Sequence, residues 1–323
     1  MLIEPPLDRA ALLTDLRDAY GLTGDSLEFV PVGWASAAFV LRVAGKRYFL
    51  KLWPGGRDAD AAVQRFPFVQ RLQSLGFSAR VPSALPTRTG ELSVSLPPGI
   101  VALFPYLPGT TPPGWPAWPE DILQELGRTL AELHSVDPGD TLPFREQFSV
   151  AVADEVLLHA DDKAAQPYRA ELLDQLDRLR SLQQDARRLN PGFVVCHTDL
   201  VGDNMLLDSN GRLSLLDWDG AQLAPAEQDL ALLLHGAQPV DGTALAKVLP
   251  VYPRELRLEL FGFFLLRRYL EDFAARLTRL RRGNLSAEET ADALDGLARW
   301  GSTQWLSLDR TLAVARLALS RRP

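Results

Sequence analysis

"CHTDLVGDNMLLDSNGRLSLLDWD", residues 196–219, sets a histidine, His197, and five aspartates among short apolar runs. Asp199 and Asn204 follow the run "FVV" (193–195) and precede "MLL" (205–207), while Asp217 and Asp219 follow "LSLL" (213–216). Short apolar runs bounded by Asp, Asn and Gly read as buried strands. If these strands pair, their ends bring Asp199, Asn204 and Asp217 to one spot. Oxygen ligands of that kind suit magnesium, a hard cation, and the set leaves one carboxylate over as a base. Asp203, Asp208 and Asn210-Gly211 read instead as turn formers. Asp199, Asn204 and Asp217 fit that reading less well, because no glycine or proline of their own marks them as a turn.

Working outward, the N-terminal part changes period twice. "RAALLTDLRDAY" (9–20), followed by Gly21, reads as an amphipathic helix with a glycine stop. "LEFVPV" (27–32), "AAFVLRVA" (37–44) and "KRYFLKLW" (46–53) are β-branched or aromatic runs that read as an antiparallel meander. Residues 60–75 return to helical spacing, and "ELSVSL" (91–96) and "IVALFPYL" (100–107) add two strands. The proline-rich "PGTTPPGWPAWPE" (108–120) reads as a loop. Beyond it the pattern is mostly helical, over 120–136, 165–188, 254–282 and 286–318. The expected fold class is α+β and bilobal. A small antiparallel-sheet lobe spans 1–104, a hinge and linker 105–119, and a larger helical lobe 120–323.

Composition narrows the function. With 323 residues, 46% hydrophobic and 23% charged, the chain has ordinary globular values, and no apolar run approaches the roughly 18 residues of a membrane span. The start "MLIEPPLDRA" has neither a basic region nor an apolar stretch, so no signal peptide and a cytoplasmic location are expected. Cys196 is the one cysteine, which excludes an intrachain disulfide framework and thiolate zinc sites. A net charge of -7 without a long basic run disfavours nucleic acid and favours a cationic small-molecule partner.

The spacing His197-x-Asp199-x4-Asn204, with a downstream apolar run ending in Asp217, resembles the aminoglycoside phosphotransferase and choline kinase group, relatives of protein kinases. The wording "DWDGAQLAPAEQDLALL" (217–233) is most similar to spectinomycin-type aminoglycoside phosphotransferases. The resemblance implies an ATP- or GTP-dependent kinase that phosphorylates a hydroxyl of a small, amine-bearing acceptor and acts in antibiotic resistance or in metabolism. It makes Asp199 the catalytic base, Asn204 and Asp217 the holders of Mg2+, and His197 structural. It makes Lys51, at the end of the strand "YFLKLW", the lysine that contacts the nucleotide phosphates. Gly33, Ser36 and the small residues Ala35–Ala38 stand in place of a full glycine-rich loop and let backbone N–H groups approach phosphate. Backbone groups of Phe104 and Tyr106, in "LFPYLPG", would meet adenine.

The helix over 60–75 offers no carboxylate beyond Asp60 to pair with Lys51, so its acidic partner is not legible. For the acceptor, Asp219 and the trio Tyr269, Glu271 and Asp272 in "FFLLRRYLEDF" are candidates. Phe264, Leu265, Tyr269 and Phe273 mark a buried stripe, and Glu271 and Asp272 flank it. One-turn ion pairs with Arg267, Arg268 or Arg276 are the plain alternative for the two carboxylates. Rival readings are a kinase of a metabolite such as choline or homoserine, a metal-dependent phosphohydrolase using His197 and Asp199, and a non-catalytic nucleotide-binding protein of the same fold. Nothing in the sequence bears on oligomeric state.

Overall fold

The computed structural model describes residues 4–33, 36–236, 240–281 and 285–321. Ala35, first of the small-residue run, and Arg282, at the end of an expected helix, lie outside them. The chain forms two compact units: Met1–Thr111 with Val136–Pro143 and Asp203–Ala221, and Pro112–Ser135 with Phe144–Gly202 and Gln222–Pro323. No helix among the described residues is long and apolar enough to cross a membrane.

In the first unit, helix α1 (Arg9–Tyr20) starts where the Asp8 side chain accepts from the backbone N–H of Ala10 and Ala11. It stops where Gly21 adopts φ 72°, a left-handed cap in which glycine carries no Cβ penalty. Strands β1 (Ser26–Val30), β2 (Ala37–Val43), β3 (Lys46–Trp53), β4 (Val94–Leu96) and β5 (Gly99–Pro105) form one sheet in the order β1-β2-β3-β5-β4. Every pairing is antiparallel. Ala44 and Gly45, both at positive φ, turn β2 into β3 in two residues.

Alternation divides β3 between two cores. Leu50 and Leu52 join Leu12 and Leu16 of α1 with Phe39, Leu41, Val101 and Leu103. Trp53 faces the other way with Phe66, Ala102 and Phe104. Lys51 shares the face of Trp53, since residues i and i+2 of a strand point alike, and lies opposite Ala38 and Ala102. The single helix expected over 60–75 is two, α2 (Arg57–Val63) and α3 (Phe66–Ser74). Pro67 in the first turn of α3 has no N–H to continue the ladder of α2.

Residues 203–221 pack with the sheet, whereas boundaries at 104 and 119 place them with the helices. Backbone hydrogen bonds account for this. Arg80 N–H donates to Leu213 O and Leu215 N–H to Arg80 O, both at 2.9 Å, and Thr110 exchanges two bonds with Leu207. Within the segment Met205–Leu207 pairs antiparallel with Leu213–Leu215. Asp208 caps the turn by accepting from Asn210 and Arg212 N–H, and Gly211 sits at φ 75°, as the turn reading of these residues expects.

The second unit is helical, with Glu120–Leu133, Arg169–Arg188, Leu258–Arg281, Ala287–Leu297 and Leu308–Ser320 the longest helices. The expected stripe Phe264, Leu265, Tyr269 and Phe273 is buried. Val194–Cys196 does not pair with the other strands of the opening stretch; it pairs antiparallel with Gln222–Ala224. That three-residue partner carries too little apolar pattern to be read as a strand. The helix expected over 286–318 is interrupted by a π-helical turn, Ala298–Ser302, at which Gly301 lies against Phe273 so closely that a Cβ would come within 2.6 Å of the ring.

Candidate active site

The functional side chains fall into two clusters, one in each unit. In the first unit, Asp217 leaves the strand Leu213–Leu215 in a left-handed conformation, φ 58° and ψ 70°, unusual for a residue with a Cβ. The next residue, Trp218, is buried against Phe68, and its indole N–H donates to Leu215 O at 2.9 Å. Trp218 anchors the turn between the two aspartates. Leu216 N–H donates to Asn204 O at 2.8 Å, so Asn204 lies beside the residue that precedes Asp217.

Lys51 Nζ lies 2.8 Å from Asp217 Oδ1 and 3.2 Å from Asp219 Oδ2. The partner missing from the helices is therefore supplied by the two aspartates after the hairpin. Burial works against the ammonium, but the charges of Asp217 and Asp219 outweigh it and hold Lys51 above its ordinary pKa. Asp219 is pushed up, first by burial and then by Asp217, although Lys51 and Trp53 pull the other way. Two carboxylates facing one cation leave an excess negative charge on hard oxygen donors, and Asn204, whose backbone oxygen accepts from Leu216 N–H, carries an amide oxygen as a further donor. This donor set fits a hard divalent cation.

The other sequence-derived nucleotide residues are all in the first unit. Gly33 is at φ 75° and Ser36 is buried. Phe104 stands opposite Phe49 in the β3–β5 ladder, and Arg47 lies over the Tyr106 ring, 3.9 Å from its centroid.

In the second unit, Asp199 sits on the loop after Val194–Cys196. Asp229, not singled out in the sequence reading, holds that loop: its carboxylate accepts from His197 N–H at 2.9 Å and Thr198 N–H at 2.6 Å. It also meets His134 Nε2 at 3.1 Å, and His134 Nδ1 meets the Tyr252 hydroxyl at 2.6 Å. Thr198 is held at φ 75°. His197 is fully buried and its Nδ1 accepts from Asp199 N–H. The available signal was an aspartate opening the apolar run "QDLALL" (228–233), a place where a buried acid needs a reason.

Arg268, from the helix Leu258–Arg281, donates from Nη1 to Asp199 Oδ1 at 2.8 Å, and its Nε lies 3.4 Å from Asp272 Oδ1. Burial opposes its charge, but Asp272, Asp199 and Glu271 together hold it above the usual arginine value. Asp272 Oδ2 meets His235 Nε2 at 2.8 Å, and the imidazole stacks on the rings of Tyr269 and Trp300. Burial would raise Asp272, but Arg268 and His235 bring it below the ordinary carboxylate range. Arg267 forks onto Glu146 at 2.9 and 2.7 Å and lies 3.6 Å from Glu271. The one-turn ion pairs weighed from the sequence are therefore present for both acids. Of the acceptor candidates on this helix, Tyr269 is wholly buried, Asp272 is mostly buried, and the Glu271 side chain is half exposed.

The sequence matches the phosphotransferase enzyme family (APH) over residues 26–261, most of the chain. The chain belongs to this family. As a phosphotransferase it is similar to the StrN protein of Streptomyces griseus, with 28% identity over 301 residues that cover 85% of this chain and 84% of that protein. In structure it is similar to spectinomycin phosphotransferase in complex with ADP and spectinomycin (TM-score 0.72, 18% identity, 97% of this chain and 99% of that one). A choline/ethanolamine kinase family protein from Mesorhizobium loti is also similar (TM-score 0.66, 19% identity, 95% and 99%). The phosphotransferase thus has the kinase-like fold expected from its opening motif, a five-stranded antiparallel sheet followed by a mostly helical part.

Proposed function

We propose that this phosphotransferase moves the γ-phosphoryl group of ATP to a hydroxyl of a small, amine-bearing molecule of the aminocyclitol or aminoglycoside kind. The observation that carries the reading is the double pairing of Lys51 with Asp217 and Asp219, which gathers a strand lysine and the two acids of the downstream motif in one cluster. Lys51 contacts the nucleotide phosphates, with backbone N–H groups at Gly33 and Ser36 beside it, and the backbone of Phe104 and Tyr106 takes adenine. Asn204 and Asp217 would hold Mg2+, which would supply positive charge to offset that of the phosphates. Asp199 accepts the proton of the acceptor hydroxyl, and Arg268 holds its carboxylate.

The acceptor class rests on charge and on the relatives. Glu271 presents a half-exposed carboxylate on the helix that carries Arg268. Spectinomycin, bound by one structural relative, and choline and ethanolamine, named for the other, all carry both a cationic nitrogen and a hydroxyl. The second of these relatives favours an amino-alcohol metabolite as the alternative acceptor.

A coupled assay of ATP consumption with Mg2+ tests the proposal across spectinomycin, streptomycin-like aminocyclitols and choline. At least one should stimulate turnover in the wild type and fail to do so in Asp199→Asn. Full activity of that variant would remove Asp199 as the base, and no stimulation by any amine-bearing alcohol would remove the acceptor class.

A further inference from the structure

Lys51 stands in β3, the central strand of the sheet, and an ion pair fixes its otherwise flexible four-carbon stem. No carboxylate of α2 or α3 pairs with it: among the described residues, Lys51 pairs with Asp217 and Asp219 alone. Asp217 is bound through its carboxylate to Lys51 from a left-handed turn. Asp219 has a second fixed donor, the indole N–H of Trp53, 3.3 Å from the same Oδ2 that meets Lys51.

Trp53 can serve because it lies two residues beyond Lys51 on β3, on the same face, and because its ring is wedged against Phe66. It is 1% exposed, so its N–H has no water to turn to and Asp219 satisfies it. The ammonium of Lys51 lies 5.5 Å from the centre of the Trp53 ring. Arg65 adds positive charge near Asp219 while donating to Ala221 O and Ala61 O, which ties the turn after Asp219 to the end of α2.

We infer that Asp219, clamped by the Trp53 indole, is the partner that positions Lys51. Asp219 is then a positioning residue and not an acceptor contact. The inference rests on the reading of Lys51 as the phosphate-contacting lysine, and its test separates the two.

The chain has four lysines, Lys46, Lys51, Lys163 and Lys247, so the rate of reductive methylation of each can be followed by mass spectrometry of the ligand-free protein with three internal controls. Loss of a charge-assisted hydrogen bond should speed modification of Lys51 about fivefold or more in Asp219→Asn, and by a smaller factor in Trp53→Phe. The other three lysines should react as in the wild type. Asp219→Glu should restore part of the protection. An unchanged Lys51 rate in folded Asp219→Asn overturns the inference, and should Trp53→Phe fail to fold, the Asp219 pair still decides it. Calorimetry of ADP binding to Lys51→Met decides the underlying reading independently: unaltered affinity there removes Lys51 from the phosphates without touching the Lys51–Asp219 pair.

Discussion

Arg268 Nη1 lies 2.8 Å from Asp199 Oδ1, so the proposed base is ion-paired by a helix residue sixty-nine positions away in the chain. The same guanidinium lies 3.4 Å from Asp272 and is largely buried, which makes it a bracket between the loop and the helix Leu258–Arg281. Arg268→Gln should lower turnover roughly 10- to 100-fold through misplacement of the carboxylate. The KM for ATP should stay near the wild-type value, and Arg268→Lys should recover part of the loss. Steady-state kinetics with the acceptor found by screening checks this, and equal losses in Gln and Lys variants would mean that the forked geometry, not the charge, matters.

Asp229→Asn should damage the loop that carries Asp199. The wild-type carboxylate, itself buried, satisfies two backbone N–H groups and His134 at once, and an amide has one oxygen to offer in place of two. The expected cost is about 1–3 kcal/mol of stability. Faster hydrogen exchange at the His197 and Thr198 amides, together with reduced turnover, would be the signature. Unaltered exchange would show that the strained Thr198 conformation is held by something else.

Glu146→Gln bears on pH dependence. Burial alone would raise Glu146, but the Arg267 fork, with Phe148 N–H and Gln222, holds it below the ordinary glutamate range. Its folded-state pKa is depressed, so its contribution to stability is complete above the unfolded value of about 4.3 and is lost as pH falls through the lower folded value. At neutral pH, Glu146→Gln leaves the largely buried Arg267 with only the half-exposed Glu271 as counter-charge and should cost about 3 kcal/mol or less. Urea unfolding at pH 7 and pH 3 should show the gap between variant and wild type narrowing in acid. A gap of equal size at both values would contradict the linkage.

Glu271 and Asp272 should separate in their effects. Glu271→Gln removes a half-exposed charge and should raise the KM of a cationic acceptor about three- to tenfold, with ATP parameters unchanged. Asp272→Asn instead loosens Arg268 and His235, and should lower kcat and the melting temperature together. Identical behaviour of the two variants would contradict the division of labour between a surface acid and a buried one.

Much of this molecule is local, and local features are legible in the sequence. Helix α1 runs over the residues its pattern marks, because Asp8 and Gly21 cap it within a few residues of chain. The strands of the sheet follow period-two alternation, which only needs neighbours to share a face. The resemblance carried by His197, Asp199, Asn204 and Asp217 sufficed to expect the kinase-like fold and the phosphotransferase family. Where local rules competed, as at Pro67, the helix broke at a position that composition alone had smoothed over.

What the sequence could not settle is which charges meet. Lys51 finds Asp217 and Asp219 from 166 and 168 positions away, Asp199 finds Arg268, and Asp229 takes up the backbone of residues 197 and 198. A charge pair depends on the distance between side-chain tips, and nothing in a hydrophobic period encodes that distance. The helix reading placed Tyr269, Glu271 and Asp272 on one turn, yet only packing decided that Tyr269 is sealed, Asp272 is bracketed and Glu271 reaches solvent. The chain's own pattern therefore specified most of its elements, and its motif residues carried the resemblance to its family. The partner of each buried charge was decided by the tertiary fold, because burial is what makes an unpaired charge too costly to leave.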